Sequence, residues 1–306
     1  MRCVITGGAG FIGSHLVDSL IKDGHDVLVI DNLSSGKREY VNPSSGFIKA
    51  DINSDLSSSI KGADAVFHFA ADPDVRASAD NPEPSFRNNV VGTYSVLESC
   101  RKADVKSFVL ASTSTVYGET EIIPTPETQP CFPISNYAAS KLANEAYLSS
   151  FCGSYGLRGT VVRYANIFGE RSTHGVMIDF YNKLKKNPHE LKILGNGKQD
   201  KSYLHVSDCV RATILAQSKQ AKNFDVFNIG SRKKVTVSEL ASLMCKRLNI
   251  SPKFSYSGSE RGWVGDVKLM LLQTNKIESL GWHESLTFEQ GLDRYISWLS
   301  SLEKQG

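Results

Sequence analysis

Short, nearly unbroken apolar runs recur through the first half of the chain. Each is followed by a longer stretch in which apolar positions return every three or four residues. Residues 2–6, 26–31, 47–52, 65–71 and 106–112 are of the first kind and read as strands buried on both faces of a parallel sheet. Residues 11–20, 82–101 and 136–151 are of the second kind and predict helices. Strand and helix alternate across connections of crossover length, which predicts an α/β protein built on a doubly wound parallel sheet. Beyond residue 168 the rhythm turns to helices mixed with short strands. Two domains are expected, 1–168 and a smaller mixed α/β domain over 169–306, with residues 206–221 among the elements packing back on the first. Residues 273–302 read as two helices, with Trp282 and Trp298 as core residues.

The first strand runs straight into Gly7-Gly-Ala-Gly10-Phe-Ile-Gly13 and an amphipathic helix. Gly8, Gly10 and Gly13 have the spacing of a dinucleotide fingerprint, and Gly7, Gly10 and Gly13 form an overlapping one. Missing Cβ atoms let the turn tighten, let backbone approach a pyrophosphate, and let helix pack on strand. The predicted sheet is thus of the Rossmann type. Asp31 closes the second strand roughly 20 residues beyond Gly13, where a carboxylate accepts from both hydroxyls of a ribose and repels a 2′-phosphate. Asn32 follows rather than an arginine, so NAD is favoured over NADP; Lys37 and Arg38 read as solvated loop cations. Ala70 and Ala71 leave room for a cofactor at the end of the fourth strand, and Asp51 is within reach of an adenine amino group or is simply a solvated loop acid.

Ligands of open α/β sheets bind at the carboxyl ends of the strands, which draws attention to Ser112 and Thr113 at the end of the fifth. Further on, Tyr137 and Lys141 stand four residues apart on a predicted helix and share one face. A phenol titrates near pH ~10, and a neighbouring ammonium favours its phenolate, so the pair is expected to make a base that works nearer neutrality. Standing alone, the pair is as easily two residues of a solvated face.

Composition removes several other classes. The 306 residues carry a dispersed formal charge of +3, too small for a nucleic-acid surface, and no apolar stretch approaches a membrane span. The six cysteines, Cys3, Cys100, Cys131, Cys152, Cys209 and Cys245, form no Cys-x-x-Cys pair, so neither a metal site nor a disulfide framework is expected. The apolar run at the N-terminus is too short for a signal peptide, and a cytoplasmic protein is expected.

Taken together, Gly7-x-x-Gly10-x-x-Gly13, Asp31, Asn89-x-x-Gly92-Thr93, Ser112-Thr113 and Tyr137-x-x-x-Lys141 resemble the extended short-chain dehydrogenase/reductase family. The stretches 31–36, 113–118 and 163–169 resemble its UDP-glucose 4-epimerase branch. The resemblance covers nearly the whole chain. It implies a UDP-sugar substrate, NAD as cofactor, and Thr113, Tyr137 and Lys141 as the catalytic set. Tyr137 would take the proton of the sugar 4-hydroxyl, Thr113 would hydrogen-bond that oxygen, and Lys141 would hold the nicotinamide ribose. It further places Gly7, Gly10, Phe11, Ile12, Gly13, Asp31, Asn32, Ser35, Gly36, Asp51, Ile52, Ala70, Ala71 and Asn89 at the cofactor with Tyr137 and Lys141. Arg76, Asn166, Lys201, Arg261 and Asp266 fall at the sugar nucleotide with Thr113 and Tyr137.

Three departures from the family pattern bear on function. Related 4,6-dehydratases carry an Asp-Glu pair after the catalytic threonine and related decarboxylases a glutamate; here the places hold Ser114 and Thr115, which disfavours both. Lys201 stands where arginine is usual and cannot make a planar two-pronged contact. Arg261 lies two residues further from Asp266 than usual. Within the resemblance the activity is UDP-glucose/UDP-galactose interconversion. A C4 epimerase of UDP-N-acetylglucosamine or a UDP-uronate, a non-catalytic NAD(H)-binding sensor or scaffold, and a net dehydrogenase stay open. A homodimer built on helices 82–101 and 136–151 is implied as well.

Overall fold

The computed structural model describes residues 1–258 and 269–303. In chain order the strands are β1 (Arg2–Thr6), β2 (Asp26–Asp31), β3 (Gly46–Lys49), β4 (Ala65–His68), β5 (Ser107–Thr113), β6 (Arg158–Tyr164), β7 (Asn166–Phe168), β8 (Glu190–Ile193), β9 (Asp200–His205), β10 (Phe224–Ile229), β11 (Lys234–Thr236), β12 (Lys253–Tyr256) and β13 (Leu269–Met270). The helices are α1 (Phe11–Lys22), α2 (Ser57–Ile60), α3 (Ala77–Asp80), α4 (Gly92–Lys102), α5 (Asn136–Tyr155), α6 (Val176–Lys186), α7 (Val206–Lys219), α8 (Val237–Leu248), α9 (Asn275–Ser279) and α10 (Phe288–Glu303). A wide π-helical turn, Ser85–Val91, leads directly into α4.

Seven strands form one parallel sheet in the order β3-β2-β1-β4-β5-β6-β10. The doubly wound α/β reading holds. Strand β1 shows why its sequence is apolar throughout: Cys3 and Ile5 face the layer that holds Leu16, Val17, Cys209 and Val210, while Val4 faces the layer that holds Leu97, Phe108, Leu148 and Phe151. Helices α1 and α7 cover the first face, α4 and α5 the second. The chain reverses direction across the sheet between β1 and β4, which opens a crevice at their carboxyl ends.

Strands β3 and β4 end earlier than their apolar runs suggest, at Lys49 and His68. Lys49 lies opposite Asp31, the last residue of β2, and His68 opposite Thr6, the last residue of β1, while β5 on the other side of β4 runs on to Thr113. Asp51, Ile52, Ala70 and Ala71 therefore fall on loops at the open edge, where a ligand can meet them.

After β6 the chain builds a second body from β7, β9, β11 and β13, with β8 and β12 paired beside them. Phe180, Leu191, Leu240, Met244, Leu292 and Tyr295 are central to its core. The path is not simply sequential. Between its parts, α7 and β10 return to the large sheet, and Trp282 packs in the core beneath α7 and donates its indole N–H to the Asp208 carbonyl at 3.0 Å.

Candidate active site

The glycine turn is held by backbone contact. Gly7 has φ +73°, and a Cβ there would lie 2.5 Å from the Ala70 nitrogen; a Cβ on Gly13 would lie 2.3 Å from the Gly7 carbonyl oxygen. Turn, β4 loop and α1 therefore approach as only glycine permits. Asp31 is buried and its two carboxylate oxygens accept from Ala9 N–H at 3.0 Å and Leu33 N–H at 2.8 Å, which aims the group at the crevice. The exposed Asp51 accepts from the backbone of Asn53 at 2.9 Å, from Asn32 at 2.9 Å, and from the Asn53 side chain at 2.8 Å. Those bonds hold its carboxyl below the usual range. Gly7, Gly10, Asp31, Asn32, Ser35, Gly36, Asp51, Ile52, Ala70 and Ala71 line one cleft of about 360 Å³.

A second, larger cavity of about 720 Å³ adjoins it at Pro73, which lines both. Phe11, Ile12, Arg76, Thr113, Tyr137, Asn166 and Lys201 lie on its wall, together with Ser112, His174 and Gln199. Local sequence explains why α5 delivers Tyr137 there. Ser135 caps the helix by accepting from Ala138 N–H at 3.2 Å, and Gly156, in the left-handed conformation, ends it. The first turn docks on α3, where Asn136 donates to the Ser78 carbonyl at 2.7 Å.

Lys141 is buried and donates its ammonium proton to the Ala111 carbonyl at 3.0 Å. Its Nζ lies 5.9 Å from the centre of the Tyr137 ring. Desolvation pushes the Tyr137 phenol up to about 12, helped by the negative Asp72 and opposed by a hydrogen bond with Thr113. Burial pulls Lys141 down to about 8, and the charge of Glu145 works against that fall. The expected drop of the phenol towards neutrality is thus not found. The ammonium is committed to a backbone carbonyl rather than to the phenol oxygen, and desolvation dominates.

The other candidate residues are placed as follows. Asn89 is fully buried behind the cleft, bonded to the backbone of Asp72 and to Ser140, while its neighbour Asn88 lines the cleft wall. Asn166 donates to the Ser202 carbonyl at 3.0 Å and so joins β7 to β9. Arg261 and Asp266 lie outside the described residues.

A glycine-rich turn at a switch point, an oriented carboxylate beyond it, and Tyr137 on the wall of the adjoining cavity with Lys141 buried beside its ring are what a redox enzyme with a bound dinucleotide needs. The profile of the NAD dependent epimerase/dehydratase family matches residues 3–230. The chain belongs to this family. A UDP-glucose 4-epimerase of Mycolicibacterium smegmatis is 32% identical over 97% of this chain and 98% of its own. A crystal structure of a UDP-galactose 4-epimerase is 42% identical with a TM-score of 0.90 and covers 99% of each chain. That of the UDP-glucose 4-epimerase of Thermotoga maritima with UDP-glucose is 36% identical with a TM-score of 0.92, covering 99% of this chain and 100% of its own. Structures at a TM-score of 0.90 also include a UDP-N-acetylglucosamine 4-epimerase and, with NAD, a UDP-glucuronic acid 4-epimerase.

NAD is the cofactor of the epimerase/dehydratase family, and the residues of this chain fit it. The cleft is walled by the glycine turn and small alanines, the first turn of α1 carries no acid to repel a phosphate, and Asp31 stands oriented at the cleft. Two pairings were not read from the sequence: Glu145 with Arg163, and Asn89 with Asp72. The first had a signal, because Glu145 continues the face of Tyr137 and Lys141 by one more turn of α5. Among the described residues, no helix is long and apolar enough to cross a membrane.

Proposed function

We propose that this enzyme is a UDP-sugar C4 epimerase that interconverts UDP-glucose and UDP-galactose with NAD held in the glycine-turn cleft. The observation that carries the reading is that Tyr137 and Thr113 share the wall of a sugar-sized cavity opening beside that cleft. Gly7, Gly10, Gly13 and the N-terminus of α1 would take the pyrophosphate, Asp31 the adenosine ribose, and Lys141 the nicotinamide ribose. Bound there, NAD supplies an acceptor that takes hydride from the sugar and returns it.

Tyr137 acts as its phenolate, the form the Lys141 ammonium favours against the burial that raises its pKa, and takes the proton of the sugar 4-hydroxyl as hydride leaves C4. Thr113 accepts from Thr115 N–H at 3.2 Å, which fixes its hydroxyl for a bond to the same sugar oxygen. Lys141 keeps its positive charge near the phenol and stabilises the anion formed during transfer. The 4-keto sugar then presents its other face, and Tyr137 returns the proton as hydride comes back. Ser114 is buried and Thr115 bonds Thr113 at 3.1 Å, so these two positions provide neither the acid nor the base that water elimination across C5 and C6 requires. Arg76 and Lys201 on the cavity wall, with Asn166, would meet the diphosphate and sugar.

The reading includes a homodimer. Tyr94 of α4 and Tyr147 of α5 stand edge to face at 5.7 Å on the surface, and the rings continue through Phe151 to the exposed Tyr155. Purified protein incubated with UDP-galactose, UDP-N-acetylgalactosamine and UDP-galacturonate, without added cofactor, tests the substrate. UDP-galactose is expected to turn over fastest. Preference for either of the others would overturn the substrate assignment while leaving the chemistry.

A further inference from the structure

Glu145 is a carboxylate with almost no solvent contact, 4% exposed, and the mechanism above does not use it. Arg163 of β6, also buried, grips it with Nε at 3.0 Å from one oxygen and Nη2 at 2.6 Å from the other, a two-pronged charge-assisted pair. Ser112 of β5 donates its hydroxyl to the same carboxylate. The Arg163 guanidinium lies over the Tyr117 ring at 4.7 Å; Tyr117 donates to Asn228 at 2.7 Å, and Asn228 donates to the Thr125 carbonyl at 2.9 Å. Removing two charges from water is costly, and well-packed apolar residues commonly serve stability equally well, so stability is a weak reason for such a pair.

Its surroundings supply a better one. Lys141 is bound to the Ala111 carbonyl, and Ser112, the next residue of β5, is bound to Glu145. Two successive residues of β5 are therefore tied to two successive turns of one helix face, and the following strand residue is Thr113. The groups facing Lys141 are Tyr137 and Glu145 on its own helix, Arg163 behind Glu145 on β6, and His68 on β4. His68 is bonded on both nitrogens, to Thr6 at 2.7 Å and Thr93 at 2.9 Å, and burial holds its pKa near 3, so it is neutral at working pH. Burial pushes the Tyr137 phenol up, so in the free protein it brings no negative charge to Lys141. The negative charge facing Lys141 comes from Glu145.

We propose that Glu145, gripped by Arg163, is a positioning residue of the redox site: it fixes Ser112, and with it Thr113, against α5, and its charge keeps Lys141 protonated. This rests on the reading of Thr113, Tyr137 and Lys141 as the catalytic set. The test follows the Lys141 ε-methylene by NMR in protein with ¹³C-labelled lysine, its resonance assigned by loss in Lys141→Arg. In Glu145→Gln the titration midpoint should fall by about one pH unit, which is about a tenfold change in the protonated-to-neutral ratio. In Arg163→Lys, which keeps the charge, the midpoint should stay. The pH profile of kcat should shift with it in Glu145→Gln, with KM little changed. A folded Glu145→Gln protein with the wild-type midpoint overturns the proposal. Should that variant not fold, the Glu145→Gln/Arg163→Gln pair replaces the two ions by two amides; a lowered midpoint supports the proposal and an unchanged one overturns it. Full activity in Tyr137→Phe would instead refute the catalytic assignment, and the Lys141 titration would still report on the charge.

Discussion

Asn89 holds Asp72 from both sides, its side-chain oxygen accepting the Asp72 N–H at 2.7 Å and its amide donating to the Asp72 carbonyl at 3.1 Å. A third bond runs to Ser140 at 2.9 Å, and Ser140 donates to the Tyr137 carbonyl at 2.7 Å. One fully buried side chain thus joins the loop between the two cavities to the helix that carries Tyr137. Asn89→Ala leaves these groups without partners, at a cost of about 2–4 kcal/mol. Thermal melts should show a loss of several degrees, and kcat/KM should fall about tenfold or more as the Asp72–Tyr137 relationship loosens.

Asp31→Ala removes a carboxylate that orders the glycine turn through Ala9 and the following loop through Leu33. Calorimetric titration with NAD should show affinity weakened about 10- to 100-fold, the loss of one or two charge-assisted bonds. Asp31→Asn, which keeps an acceptor for one amide, should lose less. Equal losses in the two variants would count against this account of the turn.

Stability should fall as the solution is acidified, with His68 as a main cause. Its folded pKa lies near 3 and its unfolded value near 6.5, so below pH 6.5 the unfolded chain takes up a proton that the folded chain refuses. Stability is then lost between pH 6.5 and 3 at about 1.4 kcal/mol per pH unit from this residue. His15, whose pKa burial also lowers, acts in the same direction. Urea unfolding should change little from pH 7.5 to 6.5 and follow this slope from 6.5 to 5, and His68→Gln should flatten it; an unchanged slope in that variant would assign the acid sensitivity elsewhere.

Much of this site can be read in the sequence because its signals are local. The glycine spacing, Asp31 at a strand end and the Tyr137-Lys141 spacing each need only one turn of chain. The less legible parts are non-local. Strand β4 stops at His68, level with the end of β1 at Thr6, which an apolar run alone does not reveal. Asn89 meets Asp72, Glu145 meets Arg163 and Ser112, and β10 returns to the edge of the sheet beside β6, all across long separations. The phenol pKa departs from the sequence expectation for the same reason: a spacing of four residues shows which groups share a face, whereas desolvation and the Ala111 carbonyl decide what the ammonium does.

Tyr147→Glu places a charge in the centre of the exposed aromatic face of α4 and α5. Sedimentation at micromolar concentration should find a dimer for the native chain and a monomer for this variant. A native monomer would refute the dimer assignment directly.

The central claim is that hydride leaves C4 of the sugar and returns to the same carbon while Tyr137 handles the proton. UDP-galactose carrying deuterium at C4, turned over in ordinary water without added cofactor, tests this most directly. The account predicts UDP-glucose that keeps the deuterium at C4, and a fall of about 10²- to 10⁴-fold in rate for Tyr137→Phe. Loss of the label to solvent, or accumulation of a keto sugar with reduction of the NAD bound to the protein, would contradict it.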